Sequence, residues 1–392
     1  MILPLGFRYA ATYAGIRKEE KPDLALIVAD QPAQAAAVFT RNLVQAAPVR
    51  LARRHLEKSR GKVKAILVNA GNANCATRTG DRVALETCKK AAKELKTKTE
   101  FILPASTGVI GVELDAKLIV HAIPKLVHSL SSTRFESVAE AILTTDTRLK
   151  TAAQEIWLED GAIRIAGMTK GSGMIHPNMA TTLGFVLTDA QWSAKELRPI
   201  LQRAVETSYH SLSVDGDTST NDMVVLLASG AAKITPRGKQ REIFEEALSR
   251  VMQSLARQIA ADGEGARKLI VVRTSGFDHA NQARQVARSI ANSLLVKTAI
   301  AGGDANWGRI LAAAGYAGVP FNPYNVDIYL QNVLVCRSGL AAEYDENALK
   351  RRLEEKEVEI RFLLKRQGKA EAQFFTCDLT EGYVQINGSY RT

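Results

Sequence analysis

Short β-branched and aliphatic runs alternate with amphipathic stretches and glycine punctuation along this whole chain, and no repeat or low-complexity segment interrupts them. That alternation restricts the fold more than any other feature. Runs at 24–30, 64–70, 100–106, 181–189, 223–229, 268–274 and 325–330 read as strands. Between them, 81–95 places Leu85, Cys88, Ala92 and Leu95 on one helical face, and 133–143 places Phe135, Val138, Ala139 and Ile142 on another. Thr133 with Glu136, and Ser193 with Glu196, have capping-box spacing. A long amphipathic stretch, 241–261, stops at Gly263. Near the end the period becomes two: Val358, Ile360, Phe362 and Leu364 alternate with charges. Two more extended runs follow, one at Phe374 and Thr376 and one at Tyr383, Val384 and Ile386. The pattern predicts an α/β protein, a two-lobed sandwich of mixed sheets covered by helices.

With 392 residues, 46% of them hydrophobic, the chain can bury a large core and hold a pocket open inside it. No run has the roughly 20 apolar residues of a membrane span, and the start lacks a basic segment followed by a long apolar one. The four cysteines are far apart with no CxxC pair, so neither a disulfide framework nor a zinc site is expected. No histidine has metal-ligand spacing, and phosphate-cradling glycine motifs are missing. We expect a cytoplasmic protein with no membrane partner, no metal and no nucleotide cofactor. The net charge of +11 suits an anion or nucleic-acid binder. Yet basic residues are interspersed with acids and aromatics are only 6%, too few for base stacking. No nucleic-acid partner is expected.

The most unusual passage spans 168–189. Gly171-Ser172-Gly173 is followed by Pro177-Asn178, then by small residues, then by an apolar run opening at Thr181. A threonine hydroxyl is a poor nucleophile unless a base stands beside it. Cleavage of the Ala180–Thr181 bond would make Thr181 a chain start. Its own α-amine, with an ordinary pKa of about 7.7–8.0, could then take the hydroxyl proton. An N→O acyl shift by the same hydroxyl is a route to that cleavage. Taken alone, a glycine-rich loop before a strand is most often only a loop.

The 170–183 segment resembles the autoprocessing motif of the glutamate N-acetyltransferases, or ornithine acetyltransferases, of arginine biosynthesis. Blocks similar to that family's stand in the same order throughout the chain. They include Ala37–Asn42, Val68–Asn74, Ser106–Gly111, Thr144–Thr147, Asp215–Asp222 and Gly303–Arg309. The resemblance implies self-cleavage into an α chain, 1–180, and a β chain, 181–392, that stay associated as a dimer of αβ pairs. It implies acetyl transfer from N-acetylornithine to glutamate through an acetyl ester on Thr181. No cofactor is implied, and acetyl-CoA as a second donor stays open.

Residue by residue, the resemblance assigns the oxyanion hole to Thr107 and Gly108. It assigns substrate binding to Thr144, Lys170, Thr181, Glu264, Asn387 and Thr392. A hydroxyl and an unencumbered glycine amide just after a strand suit the first role. A lysine suits an α-carboxylate, and a glutamate suits an amine. Without the family context each has an ordinary reading as a turn, a surface charge or a helix-end acid. Asn69–Asn74 and Asp215–Asp217 read as scaffold turns, and His176 as loop-shaping rather than as a base. The competing functional reading is an autoprocessed amidase or aminopeptidase, since an acyl-enzyme open to water is a hydrolase. A non-enzymatic nucleic-acid or anion binder driven by the +11 charge is the second alternative.

Overall fold

The computed structural model describes residues 1–176, 182–365 and 368–389. Strands β1 (Phe7–Thr12), β2 (Leu24–Phe39), β3 (Lys62–Asn72), β4 (Ile102–Val109), β5 (Lys150–Leu158), β6 (Gly161–Lys170), β7 (Leu183–Thr188) and β8 (Met223–Ala228) form one mixed sheet. Its order is β4-β3-β2-β8-β7-β6-β5, with β1 pairing the first half of β2. A second sheet, in the order β12-β11-β10-β13-β9-β14, comprises β9 (Leu269–Phe277), β10 (Val326–Leu330), β11 (Val333–Arg337), β12 (Leu340–Ala341), β13 (Glu357–Leu364) and β14 (Ala370–Cys377).

Helices fill the spaces around and between the sheets. α1 (Ala47–Lys58), α2 (Gly80–Glu94), α3 (Ala116–His128) and α4 (Phe135–Ala141) pack around the β1–β4 end of the first sheet. α5 (Ala194–Glu206) and α6 (Lys239–Ala261) lie in the middle layer. There, Leu248, Leu255 and Ile259 of α6 share a core with Val186 and Val224 of the first sheet and with Leu269, Val271 and Phe375 of the second. α7 (Ala280–Asn292), α8 (Leu294–Ala301), α9 (Trp307–Gly315) and α10 (Glu346–Leu353) cover the outer face of the second sheet. The chain closes in α11 (Glu381–Ser389). The two-lobed α/β expectation therefore holds, with α5 and α6 shared between the lobes.

The Ser193 capping box is present: the Ser193 hydroxyl accepts the Glu196 amide, and the Glu196 carboxylate accepts the Ser193 amide. Three expectations are corrected. Thr133 does not cap a helix. Its amide and hydroxyl bond the Ser131 hydroxyl, and α4 begins at Phe135 behind Arg134. In α2, Leu85 is 36% exposed, and the inward face is Val83, Ala84, Thr87, Cys88, Ala91 and Ala92. These mostly small side chains let α2 approach its neighbours closely, and Leu85 lies off that face. The run at Tyr383, Val384 and Ile386 is helical, not extended. Thr380 starts the helix by accepting the Gly382 amide, and Val384 is 70% exposed, which a half-buried strand would not place there. The β5–β6 hairpin escaped the sequence reading because Trp157 is exposed and small residues blur the alternation.

Candidate active site

The parallel pair β3 and β4 ends with Gly71 opposite Gly108. A side chain at Gly108 would overlap the Gly71 backbone, and its φ of +127 lies where only glycine is comfortable. The same sheet brings the end of β6, Lys170, against the start of β7, Leu183, and Leu183 against Met223 of β8. These strand ends surround a cavity of about 220 Å³. Thr107, Gly108, Thr144, Lys170, Glu264 and Asn387 all line it, so six of the residues named from the sequence converge. Ala180, Thr181 and Thr392 lie outside the described residues.

Lys170 organises one wall. Its ammonium donates to Thr107 Oγ1 at 3.1 Å and to Thr144 Oγ1 at 2.9 Å. A hydroxyl that accepts from an ammonium keeps its own proton for a ligand. Burial pulls the Lys170 pKa below the ordinary lysine range, against the pull of the Asp146, Asp222 and Glu264 charges. Of the adjacent threonines, Thr144 makes this contact, while Thr145 only lines the cavity.

The opposite wall is acidic. Asn387 Nδ2 donates to Glu264 Oε2 at 2.8 Å, which ties α11 to the turn following α6. Gly173 lies so close to the Glu264 carboxylate that any Cβ there would overlap it. Asp215, read from the sequence as scaffold, is that and more. It accepts the amides of Met174 at 2.6 Å and Ile175 at 2.9 Å while also lining the cavity. Burial raises its pKa. Asn69 and Asn74 keep the scaffold role: Asn69 Nδ2 donates to Asn72 O at 2.9 Å and Asn74 Nδ2 to Gly80 O at 3.0 Å.

A buried ionic cluster, unread in the sequence, holds these walls together. The Lys150 ammonium sits between Asp146 and Asp262. Asp146 also accepts the Gly171 amide at 2.6 Å and the Thr144 amide at 3.1 Å. Asp262 accepts the Thr147 amide at 3.0 Å, and the Glu264 amide donates to Ser172 O at 3.0 Å. Three chain segments carrying Thr144, Lys170 and Glu264 are thus laced by charge-assisted bonds. The only sequence signal was Asp146 within Thr144–Thr147. Asp222 was also missed as an individual site. It is 3% exposed, its Oδ2 has no partner among the described residues, and burial pushes its carboxyl well above the usual range.

Both flanks of the segment containing Thr181 are tied to positions one or two residues in sequence from the cavity-lining Lys170 and Asp215. On one side His176 Nδ1 meets Ser213 Oγ at 3.3 Å, with its pKa lowered by burial, in keeping with a loop-shaping role. On the other side Thr182 Oγ1 is 3.2 Å from Thr169 Oγ1, and Thr182 O accepts the Met223 amide at 2.9 Å. Among the described residues no cluster could hold a metal ion, and no helix is long and apolar enough to cross a membrane.

Comparison with known proteins extends these observations. The arginine biosynthesis bifunctional protein ArgJ of Thermotoga neapolitana is 44% identical over 400 residues, covering 100% of both chains. Its namesake from Desulfotalea psychrophila is 47% identical over 395 residues, covering 99% of each. A solved structure of ArgJ from Bacillus halodurans matches with 40% identity and a TM-score of 0.51, over 53% of this chain and 98% of that one. The model of the ArgJ family matches residues 8–392, and with relatives this similar along its whole length, the chain belongs to the ArgJ family.

Proposed function

We propose that this protein cleaves itself between Ala180 and Thr181 and then transfers an acetyl group from N-acetylornithine to glutamate, releasing ornithine and N-acetylglutamate. The observation that carries the reading is the convergence of Thr107, Gly108, Thr144, Lys170, Glu264 and Asn387 on one cavity, with His176 bonded to Ser213 and Thr182 to Thr169 on either side of the segment containing Thr181. Thr181 attacks the acetamide carbonyl, its α-amine taking the hydroxyl proton, and ornithine leaves as the free amine. Glutamate's amine resolves the acetyl ester. The Thr107 hydroxyl and Gly108 amide stabilise the oxyanion. Lys170 receives the α-carboxylate, and Glu264 a substrate ammonium, so that an amino acid is gripped by both of its charges. Thr392 completes the binding set from the tail.

The α chain is then 1–180 and the β chain 181–392, and we assign them to a cytoplasmic dimer of αβ pairs. The length of the solved relative supports an internal break, since that chain is covered almost entirely by little more than half of this one. The name "bifunctional" carried by the relatives supports acetyl-CoA as a second donor.

A denaturing gel of active protein is expected to show two bands, the heavier beginning at Thr181. Thr181→Ala should abolish both cleavage and transfer. Thr107→Ala should slow transfer by roughly 10²–10³-fold, the usual cost of an oxyanion donor. A single uncleaved band from active protein would overturn self-processing. Acetate released without N-acetylglutamate would replace the transferase with a hydrolase. Assay with N-acetylornithine and acetyl-CoA side by side decides the donor range.

A further inference from the structure

Away from the catalytic cavity, a groove of about 660 Å³ follows an unpaired edge of β2. β8 occupies one edge of β2 from Gln34 to Phe39, whereas β3 leaves the other edge after Gln34 pairs with Lys62. The Ala35 amide donates to Gly61 O at 2.8 Å, closing that end of the free edge. On the β8 side, the Thr40 amide donates to Asp222 O at 3.0 Å. Strand alternation therefore turns the backbone of Ala36, Val38 and Thr40 toward β8 and that of Ala35, Ala37 and Phe39 away from it. The backbone groups of Ala37 and Phe39 on that edge have no partner among the described residues.

The walls of the groove are basic. Arg53 and Arg60 stand on the α1 side, Lys195 and Arg198 on the α5 side, and Arg41 just beyond β2, against the single carboxylate of Glu57. All five cations are exposed, and none forms an ion pair among the described residues. A charge that guards an edge against pairing projects across the backbone row. Here Arg60, Lys195 and Arg198 stand on the flanking elements, and Arg53 lies over the Phe39 ring, 5.3 Å from its centroid, without bonding the backbone of Ala37 or Phe39.

We propose that this groove docks an extended polypeptide segment rich in Asp and Glu, added as a further strand on β2. The backbone of such a segment would satisfy Ala37 and Phe39. Its side chains would alternate between the α1 wall and the α5 wall, and because both walls are cationic, acidic residues on both faces are selected. The site is separate from acetyl transfer and does not depend on it.

Fluorescence anisotropy on the full chain with labelled hexaglutamate tests the proposal, with acetyl transfer followed in parallel. Hexaglutamate is expected to bind. The double variant Lys195→Glu/Arg198→Glu should weaken binding by about tenfold or more while leaving transfer unchanged. Hexaglutamate N-methylated at alternate residues, which cannot donate to a sheet edge, should bind about tenfold more weakly. Failure of hexaglutamate to bind overturns the proposal. So does equal affinity for the N-methylated peptide or for tripolyphosphate, which would reduce the groove to a general anion site. Conversion of a dimer to a monomer by the double variant would also overturn it, assigning the groove to a second copy of this chain.

Discussion

Asp146 and Asp222 are both buried carboxyls whose charges act on Lys170, yet their environments drive them in opposite directions. At Asp146 burial disfavours the charge, but Lys170, Lys150 and the Gly171 amide overcome it and hold the pKa below its ordinary 3.8. At Asp222 burial prevails: the Ser219 groups and Lys170 offset it only in part, and Oδ2 has no partner among the described residues. Burial alone does not decide the state of a carboxyl; the presence of a paired cation does. One aspartate is a charged tie between chain segments, and the other is a buried carboxyl whose charged form is disfavoured.

The largest expected effect comes from breaking the charged tie. Asp146→Asn removes the charge that Lys150 and Lys170 share and one of the two oxygens that accept the Gly171 and Thr144 amides, and it should cost about 3–5 kcal/mol in urea unfolding. A loss under 1 kcal/mol would show that the cluster contributes little. Because the folded pKa of Asp146 is lowered, its stabilisation is present above about pH 4 and is lost as pH falls through the folded value. Asp146→Asn should therefore flatten the acid limb of the stability profile.

Asp222 should show the opposite sign. A raised folded pKa means that the site is unpenalised below about pH 4 and loses stability as pH rises toward that folded value. Asp222→Asn should be nearly neutral in acid and stabilising at neutral pH, where the buried carboxyl bears the cost of its disfavoured charge. Equal destabilisation of this variant across the pH range would show that Asp222 is ionised and paired. The smallest effect belongs to the rim. Thr144→Val removes one of the two hydroxyls on Lys170, a loss of about 1 kcal/mol and so roughly fivefold in kcat/KM. No change would place Thr144 outside substrate contact.

Much of the site was legible from motif order. Thr107-Gly108, Lys170, Glu264 and Asn387 are distant in the chain, and the structure brings them to one cavity. The Asp146–Lys150–Asp262 cluster was illegible because its members look like surface charges until folding buries them together. Asp222 was hidden for the same reason, since an orphaned carboxyl is defined by what fails to approach it. The tail was misread because Tyr383, Val384 and Ile386 are apolar enough for a strand. Its helical start depends on Thr380, whose hydroxyl donates to Gly265 O from a remote turn.

By itself the sequence determined the α/β class, most strand cores, the Ser193 cap and the family, because these depend on local periodicity and on motifs preserved in order. It also offered Thr181 as the candidate nucleophile. Tertiary structure alone decided that Lys170 meets Thr107 and Thr144, that the pKa values of Asp146 and Asp222 move in opposite directions, and that β2 keeps a free edge between basic walls. Each of these depends on the separation of groups far apart in the chain, and pairing, desolvation and strand register have no value until the chain has closed on itself.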